Sequence, residues 1–211
     1  TAREYFEQSL KTSREIDDRE NESFALVNLG DIASMSGAYP EAEDFYQQSL
    51  NLVRKIGLRR DESIAINKLA QLHINMGNYS KAGELAAQAL QLGRKLEEPW
   101  CEAEALNKLG IVCDCVGYYP LAKERYDKAL EVARSNGIRP LEEEVLVNMG
   151  LLYHHLGEAD TAYNTCTMAL GIVQELGAKM DEAKALTHLG HALQQKHRLE
   201  EAAEAYQKSR Q

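Results

Sequence analysis

The sequence predicts an all-α solenoid: a single array of antiparallel helix pairs, about eleven helices in all. Three observations predict it. The chain repeats every 40 residues, because Asn28-Leu29-Gly30 returns, lightly edited, as Lys68-Leu69-Ala70, Lys108-Leu109-Gly110, Asn148-Met149-Gly150 and His188-Leu189-Gly190. Within a unit, apolar residues fall at i, i+3 and i+7, the spacing of one helix face. Turn residues also recur in register: Gly37, Gly77, Gly117 and Gly157 follow the trio by seven residues, with His197 in the fifth place.

The elements follow in order. Residues 1–16 read as a second helix without its partner, since Ala2, Phe6, Ser9, Leu10 and Ile16 stand forty residues before Ala42, Tyr46, Ser49, Leu50 and Ile56. Unit 17–56 has a first helix with Leu26, Leu29 and Ala33 on one face. A turn at Gly37 and Tyr39-Pro40 follows, then a second helix carrying Ala42, Tyr46, Ser49, Leu50 and Val53. Glycine can end a helix in a left-handed conformation, and proline suits the start of the next. Unit 57–96 keeps the register through Leu69, Gly77, Ala82 and Leu90. Unit 97–136 does so through Leu106, Leu109, Cys113, Ala122 and Leu130, with Pro99 and Pro120 at helix starts. Unit 137–176 opens at Pro140, and unit 177–211 stops within its second helix at Arg210-Gln211. Glutamate opens every unit (Glu22, Glu62, Glu102, Glu142, Glu182), where a first-turn acid complements the helix dipole. With no initiator Met and an orphan helix first, the chain is expected to be a piece of a longer protein.

Small-Leu-Gly, then Gly-x-Tyr, then Ala and Tyr on the second helix resemble the tetratricopeptide repeat (TPR), over essentially the whole chain. The resemblance implies a right-handed, TPR-like superhelix whose first helices line a concave face. The unit is longer than the usual ~34 residues. Stretches such as Tyr46 to Gly57 are similar to the sensor arms of large bacterial signalling ATPases and transcription activators, the maltose regulator being the familiar example. They are also similar to animal spindle-orientation scaffolds of the LGN and Pins type. Thr187 to Leu193 followed by Arg198 to Ala203 looks like the closing repeat of the bacterial arms. The scaffolds tend to repeat Asn-Leu-Gly-Asn, and here Asp31, Gln71, Ile111, Leu151 and His191 follow the trio instead.

Composition narrows the function classes. A formal net charge of −9 argues against a nucleic-acid surface, because phosphate binding needs clustered Lys and Arg. No apolar run reaches the ~18 residues of a membrane span. Cys101, Cys113, Cys115 and Cys166 lack a paired Cys-x-x-Cys zinc pattern. Cys113 and Cys166 occupy core-facing slots, Cys115 is expected on the groove, and free thiols fit a cytoplasmic location. No phosphate loop, His-Glu-x-x-His or nucleophile elbow is present, so no enzymatic activity, cofactor or metal is expected.

What remains is a binding surface. On the first helix, positions 24, 27, 28, 31, 34 and 35 form one stripe opposite the core stripe. The candidate groove comprises Asn28, Asp31, Asn67, Lys68, Gln71, Asn107, Lys108, Ile111, Asn148, Leu151, His188 and His191. The asparagine amides can hold a peptide backbone. Lys68 and Lys108 favour an acidic ligand, a field that Asp31, Glu104, Asp114 and Glu144 dilute. His154, His155, His188 and His191 form a cluster that reads as surface by default, with metal binding or a pH-sensitive contact as the sharper alternative. The expected function is a non-catalytic module that binds a protein or peptide segment, as the regulatory arm of a larger bacterial regulator whose flanking domains are partners in the same chain. A small-molecule inducer sensor and a constitutive scaffold are the alternatives.

Overall fold

The computed structural model describes residues 1–210. Gln211 lies outside the described residues, as does the side chain of Met180. Among the described residues there are eleven helices and no strand, as the periodicity predicts, and the architecture is a TPR-like α-solenoid. Contacts divide it into two compact units, Thr1–Val112 and Cys113–Gln211.

The first unit holds α1 (Ala2–Glu15), α2 (Arg19–Met35), α3 (Tyr39–Ile56), α4 (Arg59–Asn75), α5 (Tyr79–Leu96) and most of α6 (Pro99–Cys115). Consecutive helices from α1 to α5 pack on one another. The second unit holds the end of α6 with α7 (Tyr119–Ser135), α8 (Arg139–His155), α9 (Ala159–Leu176), α10 (Lys179–Gln195) and α11 (Leu199–Lys208). Here α7 to α11 pack consecutively, and α10 also lies along α8.

The turns explain why helices stop where they do. Gly37 sits at φ +78°, and Ala38 N–H donates to the Ala33 carbonyl at 2.9 Å, closing the last turn of α2. The same closure recurs at 2.8 Å from Asn78 to His73 and from Tyr118 to Cys113. His197 adopts φ +59° in the glycine slot and still closes its turn, Arg198 N–H donating to the Leu193 carbonyl at 3.0 Å. A left-handed residue without glycine is uncommon, so geometry outranks residue preference there.

Helix pairs are fitted by volume. A Cβ on Gly30 would lie 2.5 Å from Tyr46 Cε1, so the ring fills the space that a side chain would need. Gly150 faces the Cys166 thiol and Gly190 the Tyr206 ring in the same way, whereas the corresponding columns hold Ala70 and Ala86, both fully buried. Glycine goes with a large or polarisable partner and alanine with alanine, so each glycine leaves the room that its partner's side chain takes up.

A second recurring device ties each second helix to the next first helix. Arg14 Nε and Arg19 Nη1 grip Glu22 at 2.7 and 2.9 Å, and Arg54 and Arg59 grip Glu62 at 2.8 and 2.7 Å. In the second unit, Arg134 and Arg139 grip Glu142 at 2.8 and 2.9 Å. Burial alone would raise these carboxyls, but the guanidinium hydrogen bonds outweigh it and hold all three below the usual glutamate value.

Candidate functional site

In the first unit the predicted stripe runs along α2 and α4, which approach each other at few points. A cleft of about 470 Å³ opens between them, with Phe24, Val27 and Ile64 as its apolar lining. Phe24 is 60% exposed, so an aromatic ring faces solvent inside this concavity. One end is closed by Asp31, which accepts from Tyr46 Oη at 2.6 Å and pairs with Lys68 Nζ at 2.7 Å. Burial, and then the Asp31 carboxylate, push the Tyr46 phenol up, so the hydroxyl stays a donor. The α2/α3 core therefore holds Asp31, and Asp31 holds Lys68 across the cleft. The lysine is neutralised in place, and the dilution of its field noted from the sequence is direct.

The other predicted groove residues divide by exposure. Asn28 is half-buried and donates to the Phe24 carbonyl at 2.8 Å, while half-buried Gln71 donates to Asn75 at 2.9 Å. Asn67 is 1% exposed; its amide nitrogen lies 3.5 Å from Glu104, and its buried Oδ1 has no partner among the described residues. Asn107 and Lys108 are 0% and 5% exposed. As placed, these three are packed side chains rather than groove lining. Position on the stripe reveals a direction but not how closely the next helix covers it. Ile111 is half-buried.

In the second unit α8 and α10 close over the same stripe. Asn148, Leu151, His188 and His191 are half-buried. His154 stacks on His191 with ring centroids 5.0 Å apart, and His188 lies 6.0 Å from His191. His191 meets the Tyr206 ring edge-on at 5.7 Å. His155 Nδ1 lies 2.8 Å from Asp114. The Nδ1 atoms of His154, His188 and His191 are buried without a hydrogen-bond partner among the described residues. Burial first, then His191, His154, His155 and Lys184, hold His188 down at about 4, and His191 is lowered for similar reasons. Of the cluster expected at the surface, His154, His188 and His191 are thus half-buried in a packed seam, while His155 stays exposed beside Asp114. Among the described residues no group of three or more His, Cys, Asp or Glu is arranged to hold a metal ion.

Sequence reasoning missed Glu143. It is 3% exposed, and its Oε1 has no partner among the described residues. Burial, then Asp181 and Glu144, push its carboxyl up to about 7. Its column reads Ser23, Ser63, Ala103, Glu143 and Ala183, so a glutamate in a slot for small residues is the signal that could have found it. Cys101, Cys113 and Cys166 are buried and Cys115 is exposed; burial pushes the Cys166 thiol up to about 12.

A family profile described as tetratricopeptide repeat matches residues 1–55, 61–135 and 141–211. No curated protein matches the chain. Among solved structures, the chain is similar to BtubC (BKLC) from P. vanneervenii, with 20% identity, TM-score 0.76, and coverage of 100% of this chain and 90% of that one. It is similar to the Rap conjugation gene regulator of plasmid pLS20 in complex with the Phr* peptide, with 16% identity, TM-score 0.79, and coverage of 93% and 55%. It is also similar to a STAND signal-transduction ATPase with a tetratricopeptide-repeat sensor from Pyrococcus horikoshii, with 19% identity, TM-score 0.70, and coverage of 94% of this chain and 32% of that one. At these identities the likenesses show the fold.

Proposed function

We propose that this chain, which belongs to the tetratricopeptide-repeat family, is a non-catalytic module that binds a protein or peptide segment on its first helices, as the regulatory or sensor arm of a larger bacterial signalling ATPase or transcription regulator. The observation that carries the binding reading is the cleft between α2 and α4, an apolar concavity with a polar pair fixed at one end. Such a combination of apolar area and a few oriented polar groups is what ligand sites provide. The arm reading is supported by the likeness to the Rap regulator bound to a peptide and to the STAND ATPase sensor.

Mechanistically, a segment lying in the cleft touches two first helices at once and favours one spacing of α2 and α4 over others. A ligand that binds one arrangement better shifts the population toward it. The flanking domains of the parent chain would read that shift. A cytoplasmic setting accords with four free cysteines.

A random-peptide display selection on the intact chain tests the binding reading, with a Phe24→Ser/Asn28→Ala variant as control. Enriched peptides that are lost on the variant support it. An absence of peptide enrichment, with thermal stabilisation by a small-molecule panel instead, overturns it in favour of an inducer sensor. Reading the parent gene on both sides tests the arm: an ATPase or DNA-binding segment in frame supports it, and an unrelated or empty flank removes it.

A further inference from the structure

The cleft has a second end. Glu20 and Asp61 both line it, each in the first turn of its helix, and neither is engaged by a cation or a side-chain hydrogen bond among the described residues. Their near neighbours behave differently. Glu22 and Glu62, in the same two first turns, are each gripped by two arginines, so a negative charge for the helix dipole is already in place. At the other end Lys68 is matched by Asp31. The cleft therefore carries two uncompensated carboxylates beside an apolar floor, in a chain of net charge −9.

Resting on the binding reading above, we propose that the cleft selects a segment with an aliphatic or aromatic side chain seated against Phe24, Val27 and Ile64, and with a lysine or arginine beside it held by Glu20 and Asp61. Dimensions agree. Glu20 to Asp31 spans eleven residues of α2, about 16 Å at ~1.5 Å per residue, which is the reach of about five extended residues at ~3.3 Å each. Charge complementarity sets the polarity: the basic residue lies at the N-terminal end of α2 and α4, and the Asp31–Lys68 pair bounds the other end. An acidic segment, the ligand that Lys68 alone would suggest, meets two unpaired carboxylates and is rejected.

The test is display selection of random hexapeptides on the wild-type chain and on a charge-reversed Glu20→Lys/Asp61→Lys variant whose fold is checked by its helical circular dichroism and melt. Wild type is expected to enrich peptides with an apolar anchor flanked by Lys or Arg. The reversed variant is expected to lose those roughly 10-fold and to enrich Asp or Glu in that place, the wild-type preference weakening with salt. Should the reversed variant misfold, Glu20→Gln/Asp61→Asn gives the same comparison, with a loss of about 3-fold. Peptides that bind both chains equally and fail on Phe24→Ser/Asn28→Ala overturn the charge selection and leave groove binding standing. Failure to enrich any peptide overturns both.

Discussion

The same 40-residue frame treats its groove stripe in two ways. In the first unit α2 and α4 stand apart, Asp31 and Lys68 pair at one end, and a cleft with an apolar floor stays open between them. In the second unit α8 and α10 meet along their lengths, histidine rings pack into the seam, and a glutamate is buried in a slot for small residues. Repeat identity fixes where helices run. The residues on the stripe decide whether the space between neighbouring first helices becomes a site or a core.

The largest expected effect separates the helix-pair packing of the two units. Gly30→Ala drives a Cβ into the Tyr46 ring, which is 2% exposed and tethered through its hydroxyl to Asp31. Overpacking of this kind costs about 1–3 kcal/mol, and here it also disturbs the pair that bounds the cleft. Gly150→Ala meets the Cys166 thiol, the free end of a small side chain, so its loss is expected to be smaller and confined to the second unit. Denaturant melts of Gly30→Ala, Tyr46→Ala and the double variant check this. The double variant recreates the Ala70/Ala86 pairing and should lose less than the sum. Additive losses would mean that the volume match between the columns is not what couples them.

A pH comparison comes next. Glu143 is raised from 4.5 to about 7, so the native state holds its proton more tightly, and stability falls as pH rises from about 4.5 through 7. His188 is lowered from 6.5 to about 4, so its contribution is complete above 6.5 and is lost as pH falls toward 4. The two slopes oppose each other between 4.5 and 6.5 and largely cancel. Glu143→Gln should therefore expose the histidine slope, with the variant more stable than wild type by about 1–3 kcal/mol at pH 8 and nearly equal to it at pH 4. His188→Asn should expose the glutamate slope, its advantage lying at acid pH and fading by pH 7.5. Amide exchange in α8 and α10, compared with α2 and α4, reads this locally. In the first unit Glu22 and Glu62 are lowered, so stability is lost only as pH falls below their ordinary value. Matching pH profiles in the two units would break the comparison.

Much of this was legible in the sequence. The unit length, the turn glycines and the apolar columns place the helices, because each is local or strictly periodic. The Gly30/Tyr46 and Ala70/Ala86 columns even contain the packing rule, read down the repeats rather than along them. The stripe was legible as a direction, and Asn28, Asp31 and Lys68 do line the cleft. Burial of Asn67, Asn107 and Lys108 was not, because it depends on the separation of helices forty residues apart, which no helical period encodes. The histidine seam failed for the same reason: a cluster of imidazoles reads as polar, and only the close approach of α8 and α10 turns it into packing.

The smallest expected effect concerns the arginine grips. Their column reads Arg14, Arg54, Arg94, Arg134 and then Gln174, and the accompanying column ends in Lys179, while Glu182 keeps its place. The α9/α10 step is thus the one whose sequence lacks the guanidinium found in the earlier units. Gln174→Arg on a helix that already carries the right spacing should let Glu182 be gripped as Glu142 is by Arg134 at 2.8 Å. Partly exposed pairs of this kind contribute about 0.2–1 kcal/mol, so a rise of about 1–2 °C in the melting of the second unit is expected, shrinking at high salt. The mirror change, Arg54→Gln, should cost the first unit somewhat more, because Glu62 is already buried and would keep only Arg59. If Gln174→Arg raises nothing while Arg54→Gln still destabilises, the grip matters only where burial has already desolvated the carboxylate. Half-buried Glu182 would then be served by water, and the difference between the units would reduce to how closely their first helices pack.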